Sequence, residues 1–490
     1  MVKYKTFYVT TPIYYPNAKP HIGSYFTTLV ADILARWKRL EGYEVFFLTG
    51  TDEHGLKIYR EAQKLGKDPK AFVDEMSEEF KKAWNALDIS YDRFIRTTDS
   101  DHEEVVKYII QKLWEKGELY KGKYTGWYCV GCEAYYSEGE YIEKNGKKLC
   151  PLHEKELEWM EEDTYFFKLS KYQDYVKNLI ESGLIYPAPY KNEILNRLNK
   201  GLKDISVTRL RERVPWGVPV PFDEEHVVYV WFDALLNYIT GIKYLVDRSF
   251  FEKYWPAVHI IGKDIMWFHT VIWPAILKAA DIAPPKKVVI HSFWMVEGQK
   301  MSKSLGNVIY AEKLIELGDS VRYFLIRQSS FDKDTNFSWK EFYRRYDDDL
   351  IGIFGNLVRR VAILAIRKLD GRVKKADKEI NDPNIDEIKR YMDNFQLNMA
   401  LAKIFDYLHE INKYLNEKEP WKKEKPNKEI YNALEGMRFA TILLHPFMPN
   451  VCKIISEKIG FKIEKFSTFG EIKEYVIKEA PIVFKKLKTY

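Results

Sequence analysis

Long apolar runs are missing from this sequence. Its hydrophobic stretches are broken by His, Pro or Asp well short of the roughly 18 residues that cross a bilayer, so no membrane span and no membrane partner are expected. The opening residues, MVKYKTFYVTTPIYY, hold no apolar signal-peptide core and alternate like a strand, which reads as a cytoplasmic chain. Cysteine is scarce. Four in 490 residues exclude a disulfide-stapled scaffold. Glutamine is scarcer still for the size, at six, beside abundant Lys and Glu, a bias shared with heat-adapted proteins. No internal repeat or low-complexity segment is visible, and 46% hydrophobic with 30% charged residues excludes disorder and collagen.

Neither sign of charge dominates the whole chain, which carries a net +6, but the balance is uneven. Residues 351–490 hold 27 Lys and Arg against 19 Asp and Glu, a net of +8, so the preceding 350 carry −2. A polyanion partner is therefore sought in the last third.

At roughly 100–200 residues per domain, the length allows about three or four domains. Residues 6–13 read as a buried strand, 24–41 as a helix ending at Gly42, 45–50 as a strand and 56–65 as a helix. Such alternation implies an α/β, doubly wound parallel sheet. It breaks over 118–205, a Tyr-, Gly- and acid-rich insertion, and resumes with VVYVWFDALLNYI, AVHIIGKD and KKVVIHSFWMV. The expected units are 1–117 and 206–285 for the two halves of the sheet domain, 118–205 for the insertion, 286–345 for a loop-bearing connector and 346–490 for an α-helical bundle. In the last, Leu350, Phe354, Leu357, Val361 and Leu364 mark one helix face.

Three motifs carry chemistry. PHIGS, residues 20–24, lies between the first strand and its helix, where free N–H groups and the helix dipole favour phosphate. There Gly23 allows a base or ribose to approach the backbone, and His21 can donate to a phosphate; alone, the motif could be a capping turn with a chance His. QKMSKSLGN, residues 299–307, places Lys300 and Lys303 in a loop between Gly298 and Gly306, able to fold over a triphosphate; alone, it could be a solvated basic loop. Cys129 and Cys132 form CxxC, and Cys150 and His153 form CxxH. Together they supply four ligands for a closed tetrahedral Zn²⁺ site, structural because no position stays open. Cys452 stands apart and reads as a small buried hydrophobe.

HIG followed by an intact KMSKS is the paired signature of class I aminoacyl-tRNA synthetases, and the chain resembles that superfamily. Within it the sequence looks like the methionyl-tRNA synthetase family, on VTTPIYYPNAKPHIG (9–23), LTGTDEHG (48–55), the Cys/His cluster, DISVTR (204–209), VYVWFDALLNYI (228–239), HIIGKDIMWFH (259–269), KMSKS, GNLVRR (355–360) and EPWK (419–422). Two departures stand out. Ser24 occupies the place of the signature's second His, and the chain stops after the helical region, where some relatives carry a further tRNA-binding and dimerising domain.

The resemblance implies a Rossmann-type catalytic domain with a zinc-binding insertion and a C-terminal anticodon-binding bundle. It implies activation of L-methionine by Mg²⁺-ATP and transfer to tRNA(Met). His21, Lys300, Lys303 and Arg209 would meet transition-state charge, with Gly23, Ser24, Ser302 and Ser304 at ATP. Ile13, Tyr15, Asp52, Trp231, Ala234, Leu235, Tyr238, Ile265 and His269 fall at methionine-pocket positions, with Asp52 placed for the ammonium and Tyr15 and His269 for the polar discrimination. Asn356, Arg360 and Trp421 fall at anticodon positions. From the residues alone, Trp421 after Pro420 reads as a core anchor and Arg360 as a solvated charge. The insertion is too short for a large separate editing domain. A monomer of this chain is expected, with room for a separate tRNA-binding subunit. Rival readings are another class I synthetase, a small nucleotidyltransferase and a non-catalytic tRNA-binding paralogue. Ligands held in the insertion rather than the pocket, the basic helical region and the intact lysine pair argue against them in turn.

Overall fold

The architecture was obtained as a computed structural model. It describes residues 5–487 except 132, 133, 137, 145, 153, 303 and 304, and at 134 and 135 the backbone alone. Six strands form a parallel sheet: β1 (Thr6–Thr10), β2 (Glu44–Thr51), β3 (Arg93–Arg96), β4 (Ile185–Tyr186), β5 (Val258–Gly262) and β6 (Lys287–His291). Their spatial order is β3–β2–β1–β5–β6–β4. β1 lies at the centre, with Val9 opposite Phe47 on one side and Val258 on the other. Both faces of the sheet are covered, and the middles of β2, β5 and β6 are accordingly short apolar runs: VFFL, II and VVI.

Helix α1 (Ile22–Leu40) follows β1 and crosses back over the sheet. Lys38 and Arg39 sit in its last turn, where cations offset the helix dipole. Ile22, Phe26, Leu29, Ile33 and Trp37 are fully buried, each worth about 1.5–3 kcal/mol. That core is continuous with the helical region, so residues such as Trp37 and Val358 belong to one hydrophobic cluster. The opposite face of the sheet buries Leu48, Ile95, Val105, Val228 and Ile261.

The insertion is built on two long antiparallel strands, Leu119–Cys129 and Glu158–Phe167, with Leu119 opposite Phe167 and Tyr128 opposite Glu158. Between them lies a small hairpin, Ile142–Lys144 with Lys147–Leu149. The chain then returns, and β4 pairs with the edge of the parallel sheet at Val288 and Val289. Two residues show no periodicity, so this sheet strand cannot be read from sequence.

Beyond Ser338 the chain is mostly helical. Trp339–Arg345, the wider-wound Tyr346–Gly355 and Asn356–Leu369 run on from one another, and Leu350, Phe354, Leu357, Val361 and Leu364 all face inward. Four further helices complete the bundle: Ile385–Asp393, Leu397–Lys418, Asn427–Leu444 and Pro449–Ile459. Helical periodicity alone was expected here, yet Arg372–Lys374 and Glu474–Val476 pair as short antiparallel strands. Cys452 is fully buried. Among the described residues no helix is long and apolar enough to cross a membrane.

Candidate active site

The site lies at the carboxyl ends of β1, β2 and β5, where open parallel sheets bind ligands. His21 caps α1. The Gly23 N–H donates to His21 Nδ1 at 3.0 Å. A backbone N–H can only donate, so the neutral ring carries its proton on Nε2, which makes that nitrogen a donor. Ser24, the departure from the signature, has a local job. Its Oγ accepts from the His21 N–H at 3.1 Å and donates to the His21 carbonyl at 2.9 Å, closing a capping box. A Cβ on Gly23 would lie 2.9 Å from His21 Cε1, so glycine here admits the imidazole across the helix start.

The segment just after the second signature is tied to the first. The Ile22 N–H donates to the Ile309 carbonyl at 2.8 Å and the Ala311 N–H to the Pro20 carbonyl at 3.0 Å. Met301 Cε approaches the same spot, 3.8 Å from where a Gly23 Cβ would be. Gly298 and Gly306 take positive φ angles of 76° and 64°, turning the chain at each end of the loop. Asn307 staples it: its Oδ1 accepts from the Ser302 N–H at 2.9 Å and its Nδ2 donates to the Lys300 carbonyl at 3.2 Å. Lys300 is exposed and Ser302 half-buried. Lys303 and Ser304 lie outside the described residues.

The expected methionine-pocket residues divide into a floor and a rim. Ala234, Leu235, Tyr238 and His269 are buried; Ile13, Tyr15, Trp231 and Ile265 are half-buried. Tyr15 meets Trp231 edge-on, with centroids 6.2 Å apart, and Trp231 stacks on Phe268 at 4.2 Å. The void bordered by this ring pair, Tyr229 and Ile272 is about 10 Å³, too small for a side chain. His269 Nδ1 faces the Ile265 carbonyl at 3.0 Å and must donate. Burial pushes this histidine down to about 4, against the lift from that hydrogen bond, so the ring is neutral and Nε2 accepts from the Tyr238 hydroxyl at 2.6 Å. Both nitrogens of His269 are thus committed within the protein, although a polar end turned to the substrate was expected of it.

Asp52 is buried in the loop after β2, its N–H donating to the Tyr14 carbonyl at 2.9 Å. Its neighbours anchor that loop and were not singled out from sequence. Glu53 receives Arg96 through two bonds, Nε at 2.7 Å and Nη2 at 2.8 Å, and Thr51 at 2.7 Å. Trp216 Nε1 donates to the Glu53 carbonyl at 2.6 Å. His54 reaches across to Asp233, on the short helix Val230–Leu235 that carries Trp231, Ala234 and Leu235. The only sequence signal for these roles was the density of acids and His in TDEHG.

Arg209 is 3% exposed. Its Nη1 donates to Ser206 Oγ and the Thr208 carbonyl, both at 2.7 Å, and its guanidinium lies 4.1 Å from the Tyr229 ring centroid. Tyr128 and Glu162 of the insertion flank it. It therefore sits at the joint between insertion and sheet domain.

Of the expected metal ligands, Cys129 and Cys150 are buried together in a small cluster with Leu157, at the end of the long strand and just after the hairpin. The Tyr136 hydroxyl lies 3.4 Å from Cys150 Sγ. Cys132 and His153 lie outside the described residues, and among the described residues no group of three or more ligating side chains is assembled.

On the bundle, Asn356, Arg360 and Trp421 line one surface groove of about 480 Å³ with Arg359, Ile363 and Leu364. Trp421 is not a core anchor: it is 37% exposed, and the Arg360 guanidinium lies 4.7 Å from its ring centroid. Arg360 Nη2 also donates to Asn416 Oδ1 at 2.8 Å.

Residues 7–362 match the family model "tRNA synthetases class I (M)", and 384–481 match "Anticodon-binding domain of tRNA ligase". With HIG at the sheet's carboxyl edge and the segment after KMSKS bonded to it, the chain belongs to the class I tRNA synthetases. The methionine–tRNA ligase of Thermotoga maritima is 43% identical over 93% of this chain and 75% of its own length, and that of Caldanaerobacter subterraneus 43% over 97% and 77%. Mycobacterium tuberculosis methionyl-tRNA synthetase, solved in complex with methionyl-adenylate, has a TM-score of 0.92 at 37% identity, covering 97% of this chain and 98% of that one. Within its class the chain belongs to the methionine–tRNA ligases, and it is an aminoacyl-tRNA ligase.

Proposed function

We propose that the carboxylate of L-methionine attacks the α-phosphate of ATP here, releasing pyrophosphate, and that the methionyl group then passes to the terminal ribose of tRNA(Met). The observation that supports this assignment most is the hydrogen-bonded seam between the first signature and the segment just after the second, beside the Asp52 loop and the aromatic rim. His21 Nε2–H donates to the phosphate as charge grows, and Lys300 and Lys303 neutralise the departing pyrophosphate. Gly23, Ser24, Ser302 and Ser304 shape the nucleotide site. Asp52 pairs with the ammonium, while Ile13, Tyr15, Trp231, Ala234, Leu235, Tyr238, Ile265 and His269 form the side-chain pocket. Arg209, from its buried joint, holds the insertion to the sheet beside ATP. Bound Mg²⁺ supplies charge neutralisation to the ATP phosphates. Pyrophosphate exchange with each of the twenty amino acids tests this assignment: exchange with methionine is expected, and exchange with another amino acid alone would reject it.

The donor set of the insertion fits zinc. Cys129 and Cys150 are buried, polarisable and at the base of adjoining hairpins, with Cys132 and His153 completing two knuckles in sequence. One structural Zn²⁺ per chain would fasten these hairpins. Elemental analysis of purified protein is expected to find about one zinc per chain, lost in Cys129→Ala; metal-free protein would defeat the assignment. Asn356, Arg360 and Trp421 take the anticodon, with unpaired bases stacking on the indole. The units 1–117 with 206–285, 118–205, 286–345 and 346–490 serve catalysis, acceptor-side support, loop presentation and anticodon grip. The chain works as a cytoplasmic monomer, with room for a separate tRNA-binding subunit.

A further inference from the structure

Two elements that share no sequence neighbourhood must be held at one spacing if methionine is to be gripped at both ends. The ammonium partner, Asp52, comes from the loop after β2. The pocket wall comes from the helix Val230–Leu235. Between them lies a buried trio. His54 Nδ1 is 2.7 Å from Asp233 Oδ2, and His102 Nε2 is 2.8 Å from Asp233 Oδ1. The side chains of Asp233 and His102 are wholly buried and that of His54 nearly so. A carboxylate accepts only, so each imidazole donates at its stated nitrogen. His102 comes from a third element, the helix Ser100–Glu115, and its Nδ1 lies 3.2 Å from Thr240 Oγ1, two residues beyond Tyr238.

We propose that His54, Asp233 and His102 are positioning residues that set the distance between the ammonium anchor and the side-chain wall, and thereby methionine affinity and selectivity. This rests on the methionine reading above. The trio's hydrogen bonds run to one another and to Thr240, not to an expected nucleotide residue among the described residues, so its effect falls on one substrate. Electrostatics support the geometry. Burial would raise the Asp233 carboxyl, but the His54 charge and the two hydrogen bonds outweigh it and hold it below the usual range. Burial would likewise depress His54, yet Asp233, with Glu103 and Glu53 nearby, lifts it above its ordinary value. A charged, doubly braced carboxylate is stiff, because each partner left unmatched in the interior is costly.

The test uses two conservative replacements. His54→Asn keeps an N–H near the Nδ1 position; His54→Gln moves it toward the Nε2 position. Pyrophosphate exchange on the whole chain should show His54→Gln raising the methionine KM about tenfold or more, with the ATP KM within about twofold and His54→Asn restoring most of the loss. Asp233→Asn should behave like His54→Gln and also narrow the preference for methionine over norleucine. Equal methionine KM values in the Asn and Gln variants would overturn the proposal. So would losses for methionine and ATP alike that follow a fall in melting temperature. Wild-type protein that exchanges no methionine at all would instead reject the functional reading.

Discussion

The catalytic pocket and the anticodon groove solve recognition in opposite ways. In the pocket the polar groups are buried and matched: Glu53 with Arg96, Asp233 with two histidines, His269 with Tyr238. In the groove the polar groups lie at or near the surface, and Arg360 spans Trp421 and Asn416 across a helix end. A rigid site suits a small substrate, whose reacting atoms tolerate little misplacement. A half-buried cation on an exposed aromatic ring suits unpaired bases, which bring their own flexibility.

Acid should loosen the buried matching of the first region. His269 and His291 are both buried and pushed down to about 4 by burial, each offset in part by a carbonyl hydrogen bond. Their folded values lie below the unfolded one, so the unfolded chain binds more protons between the two. Stability is then full above pH ~6.5 and lost as pH falls toward ~4, by up to about 3 kcal/mol for each histidine. Melting curves across that range should show the loss, and His291→Gln should flatten it. A melting temperature indifferent to pH from 6.5 to 4 would contradict the buried neutral rings.

His21→Ala should lower single-turnover adenylate formation by about a hundredfold to a thousandfold, since a donor aimed at growing charge acts in the transition state. Methionine affinity should be nearly unchanged. A rate equal to wild type would remove His21 from the chemistry.

Trp421→Ala should cut tRNA-dependent kcat/KM about tenfold to a hundredfold, by the roughly 1–3 kcal/mol of a base–aromatic stack. Pyrophosphate exchange and the melting temperature should hold, because the ring is already 37% exposed. A charging loss that tracks lost stability would return Trp421 to a structural role. The smallest effect is expected from Arg360→Met. It removes a surface cation–π contact worth about 0.5–1 kcal/mol, about two- to fivefold in charging. If Arg360→Met instead matched Trp421→Ala, the guanidinium would be a base contact in its own right.

Much of this was legible in the sequence, for a physical reason in each case. Strands such as β1, β2 and β5 are long enough to show their apolar runs, and HIG and KMSKS are local strings. What escaped reading is non-local. That Ser24 closes a capping box, or that Asn307 staples a loop, follows from backbone geometry that residue names do not carry. The resemblance places Arg209 near ATP, but its burial among Tyr229, Ser206 and Glu162 shows only once the fold brings them around it. Trp421 reads as core because Trp usually is; its exposure depends on where the bundle's surface falls. β4 contributes two residues to a sheet whose other strands are far away in sequence. Cys132, His153, Lys303 and Ser304 are motif residues that lie outside the described residues.

The seam joining Ile22 to Ile309 and Pro20 to Ala311 has a consequence for how the protein is made. Its halves are separated by roughly 290 residues, and at about 5–20 residues per second the first waits some 15–60 s for the second to leave the ribosome. Until then α1 lacks the neighbour that completes its N-terminal end, while the apolar side bound for the helical region stays uncovered. A nascent chain cannot adenylate early, and its first third must wait with part of its apolar surface open while synthesis continues.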